Sequence, residues 1–178
     1  MVIHNFQESL ERGKIGERVF IDMLKKGGIH EVKDVSNDRS YQSKGIDFIV
    51  NGYTVDVKTD FMAAKTGNIA FETDSVSING ETIKKGWLYT SEAQYYFYLV
   101  PEGNNKSYKI ICLTKEDIFN LIEEHSSGQR FVKNMGYRST VELVKIRDCL
   151  QGATSTLSYN PERTSENDIQ FFLIGIFE

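Results

Sequence analysis

Leu10, Gly13, Glu17, Phe20 and Leu24 recur at steps of three and four, the spacing of one face of an α-helix. Residues 8–26 therefore predict a helix, closed by Gly27-Gly28, because glycine accepts the left-handed backbone that ends helices. The period then changes. The runs GIDFIV (45–50) and YTVDVKT (53–59) flank Asn51-Gly52, which predicts a β-hairpin with a type I′ turn. Such a turn pairs Val50 with Tyr53, Ile49 with Thr54, Phe48 with Val55 and Asp47 with Asp56. Alternation puts Ile46, Phe48, Val50, Tyr53, Val55 and Val57 on one face and Asp47, Asp56 and Lys58 on the other.

Further along, IHEVKDV predicts a short strand before a polar loop, and FMAAKTG a loop or helical turn. Asn68 to Thr73 predicts a third strand next to the hairpin, and residues 76–83, containing Asn79-Gly80, a second hairpin. GWLYTSEA reads as a short helix, QYYFYLV as an aromatic-rich buried strand, EGNNKS as a turn and YKIICL as the returning strand. Thr114 to Asp117 opens a helix to His125 with a capping-box pattern. Beyond it, residues 126–139 read as a basic loop, 141–151 as a strand and a helical turn, 152–168 as turn-rich, and 169–177 as a buried strand. Helix, three strands, helix and strand in that order indicate an α+β domain with a mixed sheet.

Composition changes this picture little. With 40% hydrophobic and 12% aromatic residues the chain is that of a folded globular protein. The amino-terminal stretch has no basic start followed by an apolar core, and the run Phe171–Phe177 is too short to span a bilayer. A cytoplasmic protein with no membrane association is expected. Cys112 and Cys149 form no CxxC, and His4, His30 and His125 lack zinc spacing. The net charge of −4 weighs mildly against nonspecific nucleic-acid binding. Its distribution matters more: Arg130, Lys133, Arg138, Lys145 and Arg147 face Glu142 alone within 130–147.

The candidate chemistry lies on the polar face of the hairpin. Two carboxylates opposite each other destabilise a sheet unless something positive lies between them, and a divalent cation with oxygen ligands suits that place. Glu17, in the middle of a core-facing stripe, needs a partner; it either joins this site or tilts to the rim beside Arg18 or Lys14. Trp87 and the tyrosines at 95, 96 and 98 can stack on bases but suit the core by their spacing.

Gly-Ile-Asp47 followed by Asp56-Val57-Lys58 on the next strand resembles the PD-(D/E)XK nuclease superfamily, the restriction-endonuclease-like fold. Asp56 stands where that family more often has Glu, and Glu17 matches a glutamate often found on its first core helix. The resemblance implies an αβββαβ core in a three-layer α+β arrangement with a mixed central sheet. Residues 1–125 would form this core, and 126–178 an extension with extra strands packed on the same domain. It further implies Mg²⁺ or Mn²⁺ held by Asp47, Asp56 and the Val57 carbonyl, with Glu17 as outer ligand or water orienter. Lys58 would hold the attacking water or stabilise developing charge, and Glu72 is a possible additional ligand. Arg39, Lys44, Arg130, Lys133 and Arg138 are candidate nucleic-acid contacts. The expected function is a metal-dependent nuclease, most simply a DNA endonuclease. A Holliday-junction resolvase acting as a homodimer, a restriction-type enzyme or a phage or mobile-element repair nuclease is compatible. So is a non-catalytic module that binds nucleic acid or protein.

Overall fold

The computed structural model describes residues 6–77, 79, 81–133 and 138–177. Its first helix, α1 (Phe6–Lys26), is followed by β1 (Val32–Asp34), α2 (Arg39–Gln42), β2 (Phe48–Val50) and β3 (Tyr53–Thr59). Next come α3 (Phe61–Thr66), β4 (Asn68–Val76), β5 (Thr82–Lys85), α4 (Trp87–Thr90), β6 (Tyr95–Glu102), α5 (Gly103–Lys106) and β7 (Ser107–Leu113). The chain continues with α6 (Lys115–His125), β8 (Gln129–Lys133), β9 (Arg138–Lys145), α7 (Ile146–Gln151), β10 (Ser155–Tyr159) and α8 (Glu166–Phe177).

Asn51 and Gly52 both have positive φ, 47° and 84°, as a type I′ turn requires. The turn fixes the predicted register at Val50–Tyr53, Ile49–Thr54 and Phe48–Val55. The hairpin belongs to a six-stranded mixed sheet of order β1-β2-β3-β6-β7-β10. All its pairings are antiparallel except β3 with β6, which is parallel. A second, antiparallel sheet has the order β5-β4-β9-β8. The class is α+β.

The mixed sheet is covered on both faces. On one, Phe20, Met23 and Leu24 of α1 and Ile169, Phe172, Leu173 and Ile176 of α8 pack on Val55, Val57, Phe97 and Leu99. On the other, Ile69, Phe71 and Val144 of the second sheet, with Leu88, Ile118 and Leu121 from helices, pack on Tyr96, Tyr98, Ile111 and Leu113. This double cover explains why β6 buries every residue from Tyr96 to Pro101. Gly16 allows α1 to cross β3 closely: a Cβ there would lie 1.7 Å from Thr59 Oγ1. Gly13, by contrast, has nothing within 4 Å of such an atom.

Several expectations need correction. Asn68–Thr73 is a strand but does not neighbour the hairpin; it opens β4 of the second sheet. Alternation shows how many faces a strand buries, not where it pairs. β4 alternates between buried and half-buried positions over most of its length, whereas the doubly buried β6 takes the central place beside β3. The third strand on the hairpin is the short β1, paired from Val32–Val50 to Asp34–Phe48.

Residues 169–177 form a helix, not a strand. Ile169, Phe172, Leu173 and Ile176 are buried at helical spacing while Phe171 and Ile174 face outward. Ser165 caps this helix, accepting from the Asp168 amide at 3.2 Å while its hydroxyl donates to the Asp168 carboxylate at 2.6 Å. The expected loop at 126–139 contains β8, and the turn-rich stretch contains the edge strand β10. The turn at 102–107 holds the single helical turn α5, and the polar loop before the hairpin holds α2.

Candidate active site

Regular pairing of the hairpin stops at Phe48–Val55, so Asp47 and Asp56 are not a ladder pair. A continued ladder would give the Val57 amide the Ile46 carbonyl as acceptor. Instead the Ile46 amide turns to the Tyr41 carbonyl, and the Asp47 carboxylate accepts from the Val57 amide at 2.9 Å. The Asp47 carbonyl also accepts from the Val35 amide at 2.9 Å. The N–H and C=O of one strand residue point to the same neighbour, so the Val57 carbonyl faces the Asp47 side.

Asp56 is 5% exposed, beside Tyr96 across the parallel pairing with β6. Its Oδ2 lies 2.9 Å from Lys58 Nζ. Burial, then the charge of Asp56, pushes the Asp47 carboxyl up to about 7, although the Val57 amide and Lys58 pull the other way. Glu17 also raises Asp47, so α1 brings a third carboxylate into the same field. Glu17 is half-buried, and its own carboxyl is raised by burial and then by Asp34, against Lys14 and Arg18. Arg18 donates from Nε to the Lys14 carbonyl at 3.3 Å.

Asp47, Asp56 and Lys58 thus meet on the hairpin, and Glu17 reaches them only through its charge on Asp47. Asp34, absent from the sequence-based set, adjoins Glu17 at the end of β1 and accepts from the Ser36 amide and hydroxyl. A carboxylate so placed is visible in the sequence only once β1 is known to flank the hairpin. The other addition is Trp87, whose ring centroid lies 4.3 Å from Lys58 Nζ. Its packing against Phe71, Tyr96 and Tyr98 agrees with the core role expected for it; its contact with Lys58 joins sites far apart in sequence.

Other candidates lie elsewhere. Glu72 belongs to the second sheet, where it accepts from Ser139 Oγ at 2.7 Å, and it is not among the charges acting on Asp47 or Glu17. Lys44 is ion-paired with Glu92 at 2.8 Å. Arg39 is exposed at the start of α2. Arg130 and Arg138 are exposed on β8 and β9, with Lys133 opposite Arg138 in register; the Lys133 side chain lies outside the described residues.

Among the described residues, no three His, Cys, Asp or Glu side chains form a ready ligand set. The donor chemistry nevertheless fits Mg²⁺, which keeps several waters and needs only one or two carboxylates beside a substrate phosphate. Asp47 and Asp56 offer two carboxylates in one field and Val57 a carbonyl. No described helix is long and apolar enough to cross a membrane. No protein-family model, curated protein or solved structure matches this chain.

Proposed function

We propose that this protein is a metal-dependent nuclease that hydrolyses phosphodiester bonds, in DNA and endonucleolytically. The observation that carries this reading is the convergence of Asp47, Asp56 and Lys58 on one hairpin, with Glu17 supplied by α1. Support also comes from the mixed sheet, in which α1 packs on the β2–β3 hairpin and β6 runs parallel to β3, although α2, β4 and β5 interrupt the αβββαβ order that the PD-(D/E)XK resemblance implies. A bound Mg²⁺ would supply charge stabilisation at the phosphate and a nucleophilic water at neutral pH. Asp47, Asp56 and the Val57 carbonyl would hold it. Lys58 is the group with protons to give, so its ammonium hydrogen-bonds the scissile phosphate as negative charge develops. Glu17 orients the attacking water from the α1 side. The buried free thiols Cys112 and Cys149 suit a reducing compartment such as the cytoplasm.

One observation favours a second reading: Lys58 already neutralises Asp56, as it would in a binding module that keeps the fold without catalysis. Cleavage assays with Mg²⁺ or Mn²⁺ on linear, circular, single-stranded and four-way-junction DNA separate the two. Activity that is lost in chelator and lost in Asp56→Asn, with the metal-free variant melting no lower than wild type, is the expected result. Cleavage that survives Asp56→Asn would remove the nuclease assignment from this site. Metal-dependent stabilisation without cleavage of any substrate would support the binding module.

A further inference from the structure

Lys58 has two partners at once. Its Nζ is 2.9 Å from Asp56 Oδ2 and 4.3 Å from the centre of the Trp87 ring. The two contacts compete with the proposed chemistry differently. An ammonium held only by Asp56 occupies the carboxylate that a divalent cation needs, and displacing it would release a flexible four-carbon side chain into solvent. An indole face offers a seat that no divalent cation contests, and tryptophan is the best of the aromatic rings for this purpose.

The ring is itself firmly placed. Gly86 donates from its amide to the Thr73 carbonyl at 2.7 Å, and a Cβ at Gly86 would lie 2.4 Å from the Glu72 carbonyl oxygen. Helix α4 therefore docks directly on the backbone of β4. Phe71, Tyr96 and Tyr98 brace the indole, with ring centres 6.3, 5.4 and 6.5 Å away. Lys58 is 26% exposed, so the contact is partly shielded from water, where such interactions are strongest.

We propose that Trp87 is a positioning residue: its indole face retains the Lys58 ammonium at the site when a divalent cation takes Asp56. The second sheet, through β4, thereby sets the position of the lysine that acts on the mixed sheet. This inference rests on the nuclease reading for its consequence in catalysis, but the seat itself can be observed without any substrate.

The experiment uses the full chain with Trp87→Leu, Trp87→Phe and, for assignment, Lys58→Met. Proton NMR reads the ring-current shift on the Lys58 ε-methylene, first without metal and then with Mg²⁺. Calorimetry measures Mg²⁺ binding, and cleavage kinetics give kcat and KM. The wild-type ε-methylene is expected upfield both with and without Mg²⁺, with the shift lost in Trp87→Leu. In that variant kcat falls about tenfold, while KM and Mg²⁺ affinity stay within about twofold. Trp87→Phe, which keeps an aromatic face, recovers most of kcat. An upfield shift that disappears when Mg²⁺ binds wild type overturns the seat, as does a Phe variant no better than the Leu variant. If Trp87→Leu does not fold, the wild-type Mg²⁺ titration and the Phe variant still decide the matter. Failure of wild type to cleave any DNA counts against the nuclease reading, and the NMR titration then stands as the separate test of the seat.

Discussion

A carboxyl raised to about 7, as that of Asp47 is, reverses the usual dependence of stability on pH for an acid. Its folded value lies above the ordinary 3.8, so the native state holds the proton more tightly than the unfolded chain does. The contribution is full below the unfolded value and is lost as pH rises through about 7. Metal-free protein should therefore be more stable at pH 5 than at pH 8, by on the order of a few kcal/mol at most, and melt at a correspondingly higher temperature. Asp47→Asn should flatten most of that slope, leaving the part due to Glu17, which is raised in the same direction. Mg²⁺ should stabilise wild type more at pH 8 than at pH 5, because cation and proton compete for one carboxylate. Melts of both proteins across this range check it, and an undiminished slope in the variant would locate the titrating group elsewhere. In the sequence Glu17 stands out because a carboxylate interrupts an apolar stripe at helical spacing, and Asp47, Asp56 and Lys58 because period-two alternation collects them on the polar face of the hairpin. Trp87 does not, since its contact with Lys58 depends on how the intervening chain folds back.

The elements divide in the same way. Asn51-Gly52 made the hairpin and its register readable, because the turn type and the alternation agree. The α8 segment was misread because IQFFLIGIF is apolar at nearly every position, which masks a helical period; its Ser165-x-x-Asp168 cap was the usable signal. The close crossing of α1 and β3 gives an element-scale prediction. Gly16→Ala puts a methyl group into Thr59 Oγ1, forces the helix outward and carries Glu17 with it. The expected loss is about 1–3 kcal/mol of stability with a fall in cleavage. Adding Thr59→Ala should restore much of both. Equal stability of the single and double variants in chemical denaturation would show that the helix yields without cost.

For the molecule as a whole, the mixed sheet cannot close locally. Strand β3 pairs with β6 from Val55–Tyr95 to Thr59–Leu99, yet the chain between them departs to build half of the second sheet, whose other half waits for β9. None of this was legible from local pattern, because strand order is set by which elements can be buried on both faces. The detour also has a consequence in time. Closing large loops costs entropy before the distant pairings return anything, and folds dominated by such pairings form in milliseconds to seconds rather than microseconds. Trp87, the sole tryptophan, lies within the detour, so its fluorescence in stopped-flow refolding should reach the native value only in that slow phase. A native signal complete within microseconds would mean that α4 finds its place before the sheet does. On the slower course, the nascent chain already holds every acidic residue of the site when β3 leaves the ribosome. The seat for its lysine is complete only once β6 has been synthesised, because Phe71, Tyr96 and Tyr98 brace Trp87, so full cleaving ability would arise only after the detour has been made.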